Sequence, residues 1–548
     1  MSSLPEVSEI PIEYYAAGIA ASLAAYILIP YLWDPHNLRR SSIGGPKLPA
    51  MSNAWLAYVS ARKIVRIAPN HISVADVKAL ETIYAHGNGT LKTEFYDAFV
   101  SIRPGLFNTR DRPTHTRKRK LVSHIFSQQN VLLFEPHIRK HVRAFCAQWD
   151  MRCARAGAGE LPDARDGQSW FDVLPHFNFL AFDIIGDLAF GAPFGMIAAQ
   201  KDIAPMMERA TAGEKAEVKY VPAVQVLNDR GDYSASMGVL PKWIRPIMKH
   251  LPWYSQGNNA VRCLAGMAVA AVEKRLQFGL PDEPLEEEEE LDEKLTKGGK
   301  KRTDLLEKLM QGKDENGEPM GREELTAEAL TQLIAGSDTT SNSSCAIAYY
   351  LAANPECQRK LQAELDSVLK PVRSAPPSPS QAGMPPLPPS DVAAKFEDIK
   401  TLPYLQACIN EGLRLHSTSG IGLPRVIPPG SSLEVCGETF NEGTILSVPS
   451  YSIHHNEAIW GEDSEQYRPE RWLGRDVGKE FNPFSFGPRA CVGRNLASME
   501  LLIIIASVFH RYEFVLTKPD QELHTREGFL RKPLECVLGM KRRGASLP

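Results

Sequence analysis

The chain has no pair of cysteines two residues apart. Its nine cysteines, at 146, 153, 263, 345, 357, 408, 436, 491 and 536, are scattered and odd in number. That argues against a disulfide framework and a Cys-x-x-Cys zinc site, and it fits a reducing compartment. Net charge is also nearly absent: 62 Lys and Arg against 65 Asp and Glu leave −3, so the balance gives no argument for nucleic-acid binding. Uncharged apolar stretches of membrane-spanning length are scarce. One is Tyr14 to Trp33, twenty residues without a charge and rimmed by Tyr14, Tyr15, Tyr31 and Trp33, which suits one helical crossing of a bilayer. A cleaved signal peptide is the rival reading. It is the weaker one, because the leader carries Glu6, Glu9 and Glu13 and no Lys or Arg, whereas signal peptides begin basic. Arg39 and Arg40 follow the span and put the bulk of the chain on the cytosolic side.

What is present is ordinary globular material, 43% hydrophobic and 23% charged over 548 residues. That size allows two to four domains or one large enzyme domain with insertions. The expected order is a lumenal leader at 1–13, a transmembrane anchor at 14–33, a linker at 34–62 and one catalytic domain at 63–548. Two insertions interrupt that domain. Residues 282–302 switch from an acidic run, Glu286 to Glu290, to a basic one with Lys297, Lys300, Lys301 and Arg302, as a solvated loop does. Residues 371–390 include eight prolines among Ser, Ala and Gly, a linker-like composition.

Local patterns predict several elements. Lys63 to Val74 alternates and turns like a hairpin, and Ala75 to Tyr84 resumes a helical period. Trp170 to Gly195 is apolar nearly all round and reads as a core helix. Thr326 to Ala353 reads as one long helix, Leu402 to Leu415 as another, and Asn495 to Ile505 as a third. The tail Phe529 to Leu538 reads as a terminal hairpin.

Two stretches stand out as poor choices for structure alone. In the middle of the long helix sits Ala335-Gly336-Ser337-Asp338-Thr339-Thr340, a glycine, an acid and alcohols inside an apolar helix. Such a locally bad choice points to function. The second is Phe484-Ser485-Phe486-Gly487-Pro488-Arg489-Ala490-Cys491-Val492-Gly493, one cysteine between two glycines with an arginine two residues before it. A lone buried cysteine is usually structural. Here the glycines offer turns closed to residues with a Cβ, and the helix that follows would turn its positive end toward the sulfur.

The pattern F-x-x-G-x-R-x-C-x-G resembles the ligand loop of the cytochrome P-450 superfamily of haem-thiolate monooxygenases, and A-G-x-D-T-T matches that superfamily's oxygen-side motif. The resemblance implies a mainly α fold with a smaller β region (α+β). It implies haem b bound through Cys491 as axial thiolate, with Phe484, Gly487, Gly493 and Gly336 around the macrocycle. Arg489, Arg425, His115 and Arg119 would face the propionates, the last two lying four apart on one helix face. Asp338 and Thr339 would handle protons and oxygen, with Gly336 making room for O2. Glu411 and Arg414, with Arg471 from Tyr467-Arg468-Pro469-Glu470-Arg471-Trp472, match the superfamily's structural charge triad. Arg117, Lys118 and Lys120 are candidates for docking an acidic redox partner. One departure stands out: the family has a further helix and a Lys-Tyr-Gly turn before the first hairpin, and here only Ser52 to Arg62 is available.

Three longer strings, within His86–Phe126 (FYDAFVSIRPGLFNTRDRPTHTRKRKLVSHIF), Glu324–Ala346 (ELTAEALTQLIAGSDTTSNSSCA) and Thr525–Pro533 (TREGFLRKP), resemble the fungal benzoate para-hydroxylases. That branch implies an endoplasmic-reticulum enzyme with its catalytic domain in the cytosol. NADPH would act through NADPH-cytochrome reductase, with cytochrome b5 as a second electron donor, and one oxygen atom of O2 would enter benzoate at the para position. Arg103, Asn108, Ser417 and Thr418 are the candidates for holding the carboxylate, and Tyr96, Phe99, Phe107 and Ile421 for packing the ring. The alternatives are a monooxygenase of another small aromatic or hydrophobic substrate, a haem-thiolate isomerase or dehydratase needing no reductase, and a haem-binding scaffold without turnover.

Overall fold

The computed structural model describes residues 15, 18, 21, 22, 63–207, 218–279, 304–314, 316–371, 390–474 and 477–544. All but four residues of the predicted anchor, the linker with Ser52 to Arg62, and nearly all of both insertions lie outside these residues. Among the described residues no helix is long and apolar enough to cross a membrane.

Residues 63–74 form an antiparallel hairpin by themselves, β1 (Ile64–Ala68) against β2 (His71–Val74), with a register shift between Arg66 and Ala68. The rest of the chain forms a second compact unit. Its larger helices are α1 (Lys78–Tyr84), α2 (Arg112–Ile125), α3 (Glu135–Gly157), α4 (Leu174–Phe190), α5 (Ala223–Val239), α6 (Pro252–Phe278), α7 (Arg322–Ala353), α8 (Pro355–Val368), α9 (Pro403–His416) and α10 (Arg494–Arg511). The strands used below are β3 (Leu91–Lys92), β4 (Gln168–Asp172), β5 (Arg425–Val426), β6 (Ile445–Ser447), β7 (Tyr512–Leu516), β8 (Thr525–Glu527), β9 (Arg531–Pro533) and β10 (Val537–Arg542).

The 32-residue helix α7 is the spine, and it packs most extensively on α4 and then on α9, α6 and α10. Its length needs no strong propensity, because 22 of its residues are buried and tertiary packing holds it. The alcohols inside it do not break it. Ser337 Oγ donates to Leu333 O and Thr339 Oγ1 to Ala335 O, both at 2.8 Å, so each hydroxyl is satisfied one turn back.

Gly336 needs its missing Cβ for packing. A Cβ there would lie 2.7 Å from Ile185 Cδ1 on α4, so the close approach of two helices fixes the glycine. Gly336 also lines the cavity described below, where the resemblance expects it to make room for O2.

Two further expectations change. The segment from Trp170 is not one helix: Gln168–Asp172 is a strand paired with β10, and α4 starts only at Leu174, with Pro175 in its first turn and Asp172 Oδ1 accepting from Leu174 N at 3.0 Å. Gly191, at φ 76°, ends α4 in the left-handed region that glycine tolerates. The tail hairpin is β8 with β9, turning at Gly528 to Leu530, whereas Val537 and Leu538 join a different sheet between β7 and β4. Both differences come from pairing with residues more than 350 positions away, which no local pattern records.

Candidate active site

Cys491 follows a tightly bonded turn. Ser485 N donates to Asn482 O, Ala490 N to Gly487 O and Cys491 N to Phe484 O, at 2.9, 3.0 and 2.9 Å. Gly487 takes φ 77°, and a Cβ there would sit 1.9 Å from Tyr84 O, so no other residue fits. Gly493 differs from expectation: its φ is −82°, open to any residue, and a Cβ would only reach ordinary contact with Cys491 Sγ at 4.0 Å. What Gly493 contributes is its backbone N–H, which donates to the sulfur at the start of α10. Burial raises the Cys491 thiol, while that N–H and the Arg119 and Arg494 guanidiniums pull it back toward the thiolate.

The sulfur opens into an interior cavity of about 330 Å³, a volume in the range of small-molecule sites. The opposite wall is the middle of α7. Ala335, mid-way along a mostly buried helix, is exposed there, with Gly336, Asp338 and Thr339 beside it. Asp338 pairs with Lys532 of β9 at 2.6 Å, and Asn342 Nδ2 lies 3.4 Å from its other oxygen. Away from the cavity lining, the Glu411 carboxylate is wholly buried and accepts from Arg414 Nε and Nη2 (2.8 and 2.9 Å), Arg471 Nε (2.8 Å), Trp472 Nε1 (2.9 Å) and Arg468 N (3.0 Å). Two more carbonyls, His454 O and Ser464 O, hold Arg414 at 2.7 Å each. Every group in this network is satisfied, as a buried ionic cluster must be.

Basic side chains gather at one end. Arg489 donates to Thr109 O (2.6 Å) and Arg110 O (3.2 Å), and Arg119 to Ala490 O (2.5 Å). Arg425 donates to Tyr96 Oη (2.7 Å), and Lys92 to Phe107 O. Among the described residues none of the four has a carboxylate within ion-pair distance. Burial, then Arg425, Arg489 and Arg119, hold Lys92 well below its ordinary value. Burial followed by Arg489, Lys92 and Arg119 pushes His115 down to about 3, and burial and Arg425 bring Arg489 to about 10. Four mutually repelling cations under a protein surface call for a bound anion.

Of the residues singled out in the sequence, Phe99, Arg103, Phe107, Asn108, His115, Arg119, Gly336, Asp338, Thr339, Thr418, Ile421, Phe484, Arg489, Cys491 and Gly493 line this cavity. Four do not. Tyr96 lies buried behind the wall with its hydroxyl on Arg425, and Arg425 itself stands one layer back. Ser417 cannot offer a donor to a ligand, because its Oγ is held by Arg414 O and His454 Nδ1, both at 2.7 Å. Gly487 supports the turn from outside. Asn108 Nδ2 is committed to Phe99 O at 2.8 Å, and Thr418 Oγ1 contacts Ser343 Oγ at 3.0 Å.

The basic run on α2 is also reassigned. Lys118 is buried between Glu324 (2.5 Å) and Glu328 (2.8 Å), and Arg117 bonds Glu324 (2.6 Å), so both tie α2 to α7 and only Lys120 stays exposed.

Sequence reasoning missed Lys92, Arg230, Phe529, Lys532 and Glu500, all of which line the cavity. Glu500 is fully buried on α10; burial pushes it up to about 8 although Thr340 Oγ1 donates to it at 3.0 Å. Arg230 and Glu500 lie on separate helices and belong to no short motif, and only the fold turns them inward.

A family model described as Cytochrome P450 matches residues 69–540. The chain belongs to the cytochrome P450 family. It is 46% identical over 546 residues to benzoate 4-monooxygenase bphA of Aspergillus niger, covering 95% of this chain and 96% of that relative. More distant relatives include the cytochrome P450 monooxygenase efuB of Hormonema carpetanum and pisatin demethylase of Fusarium vanettenii. Each is 26% identical and covers 92% of this chain, with 92% and 90% of the relative respectively.

The family is one of haem-thiolate monooxygenases that consume O2. The residues present fit that group. A haem carries two carboxylates, and the cation cluster around Lys92, Arg119, Arg425 and Arg489 lacks any anion of its own, while Cys491 supplies a sulfur with an N–H donor already in place.

Proposed function

We propose that the chain is a benzoate 4-monooxygenase, converting benzoate, O2, NADPH and a proton into 4-hydroxybenzoate, NADP+ and water. The observation that carries this reading is one cavity with the Cys491 sulfur on one wall and an acid-alcohol pair, Asp338 and Thr339, on the facing helix. The 46% identity to a benzoate 4-monooxygenase over nearly the whole chain supports the choice of substrate.

Cys491 would hold the haem iron through its sulfur, with the Gly493 N–H and Arg119 favouring the sulfur's anionic form. Arg489, Arg119 and Lys92 would hold the propionates, with Arg425 behind them and the neutral His115 as a further donor. When bound, the haem supplies the redox chemistry that activates O2. The chain's own part on the opposite wall is proton supply. Asp338 and Lys532 line the cavity together as an ion pair, and once water takes the place of Lys532 the Asp338 carboxylate accepts a proton from that water and passes it to the Thr339 hydroxyl. Water is kept out elsewhere by Phe99, Phe107 and Phe529, whose rings touch one another with centroids 4.7 to 5.7 Å apart. Para selectivity then requires the ring to be held with its carboxylate directed away from the sulfur wall.

Electrons come from NADPH through a reductase, with cytochrome b5 as a second donor, and residues 14–33 anchor the enzyme in the endoplasmic-reticulum membrane with the catalytic domain in the cytosol. The uncharged run with arginines after it supports the anchor. Deleting residues 1–40 tests it: the anchor predicts release from the membrane fraction, and retention there would refute it. For the activity, purified protein is reconstituted with reductase, NADPH and benzoate. The reading predicts NADPH-dependent 4-hydroxybenzoate and a substrate-induced spin shift. Turnover of a peroxide without reductase, and none of benzoate with it, would point instead to an isomerase or dehydratase.

A further inference from the structure

Arg230 on α5 is 6% exposed, lines the cavity, and has no carboxylate partner among the described residues. Its Nη2 donates to Phe99 O, which also accepts from Asn108, and its Nε finds no acceptor at all. A buried guanidinium with an unused donor is costly unless something absent from the protein chain completes it.

The acids lining the same cavity do not serve. Asp232 is paired with Arg526 at 2.7 Å, Asp338 with Lys532 at 2.6 Å, and Glu500 is pushed up to about 8, so it is neutral at pH 7. Burial alone lowers Arg230 only to about 10, and it stays a cation. A second unsatisfied donor, Ser101 Oγ, is buried on the same lining.

Next to this cation is an apolar cage. The guanidinium lies 5.3 Å from the Phe99 ring centroid, and Phe99, Phe107 and Phe529 meet one another through tilted and edge contacts. The group that completes such a site is an anion joined directly to a flat apolar ring. Arg230 is held apart from the propionate cluster by its own contacts: its guanidinium bonds Phe99 O and lies over the Phe99 ring, whereas Lys92, Arg425 and Arg489 act on one another.

We propose that Arg230, with the buried Ser101 hydroxyl of the same cavity lining, binds the carboxylate of an aromatic acid substrate while Phe99, Phe107 and Phe529 pack its ring. This names the specificity-determining residue for the function proposed above and rests on that reading. It also replaces Arg103, which is exposed at the cavity rim, and Ser417, whose hydroxyl is already used.

Titration calorimetry of the haem-loaded full chain tests it, using benzoate and its uncharged analogue benzamide on wild type, Arg230→Gln and Arg230→Lys. The expected result is about a hundredfold weaker benzoate binding in Arg230→Gln, a smaller loss in Arg230→Lys, and benzamide affinity within about threefold of wild type in both. An unchanged reduced carbon-monoxide spectrum in each variant shows that the fold and haem site are intact. If wild type binds benzoate and Arg230→Gln binds it equally well, the Arg230 assignment falls and the substrate reading stands. If wild type binds no aromatic carboxylate, both fall.

Discussion

The two ends of the cavity are built in opposite ways. The sulfur end is local in sequence: ten residues from Phe484 to Gly493 form a turn closed by its own backbone bonds, and the helix after it begins at the sulfur. The network of Glu411, Arg414 and Arg471 underpins it with buried ions. The aromatic end is assembled from segments around 99–108, 223–239 and 525–533, which meet through side chains: the Phe99, Phe107 and Phe529 rings and the Arg230 guanidinium. The first arrangement fixes a class of chemistry, because the turn that aims the sulfur is set by backbone bonds and by Gly487, which no other residue can replace. The second allows substrate choice to vary, since rings and one cation can be exchanged with little effect on the turn that carries Cys491.

That contrast can be broken at either end. The largest effect expected is from Glu411→Ala, which leaves two buried guanidiniums without their anion and costs about 3–5 kcal/mol. Thermal melting and soluble yield read it, and a melting point within 2 °C of wild type would show the network to be dispensable.

Glu500→Gln sharpens the comparison by acting on the sulfur-side helix without touching the turn. The folded protein holds this proton up to about pH 8, whereas the ordinary value is 4.5. The native state therefore binds more protons than the unfolded chain between those limits, and stability falls as pH rises through that window. The glutamine variant escapes this fall, so its advantage over wild type should grow from pH 5 to 8 toward the order of 3 kcal/mol. A constant difference across that range would contradict the buried neutral carboxyl.

Between the two ends, Asp338→Asn should lower kcat about a hundredfold and leave the benzoate Kd within about threefold. Equal loss in both would place Asp338 in substrate binding. Smallest is Lys92→Met, which removes one of the propionate-end cations and should weaken haem retention about tenfold, read by transfer to apomyoglobin. Unchanged retention would remove Lys92 from that cluster.

Legibility follows the same division. The Cys491 turn, the helix through Asp338 and Thr339, and the charge triad were readable because each depends on residue types at fixed short spacing. Lys92 was not, since it sits in a two-residue strand and acquires its neighbours only when β3 pairs with β5. Arg230 resembles a solvated helix residue between Asp229 and Asp232 until α5 turns it inward. Lys118 misleads in the same sense: a basic run looks like surface, and the acids that neutralise it lie about 200 residues later on α7. Gly336 and Gly493 show a subtler limit. A glycine in a motif says only that space or a torsion is needed, and the fold decides which: Ile185 for the first, a backbone donor for the second.

The account stands most directly on the sulfur at 491, and the carbon-monoxide difference spectrum of reduced wild type and Cys491→Ser, each assayed for 4-hydroxybenzoate with reductase and NADPH, tests it. The prediction is a thiolate-type band and turnover in wild type and neither in the serine variant. A serine variant that keeps both would contradict it.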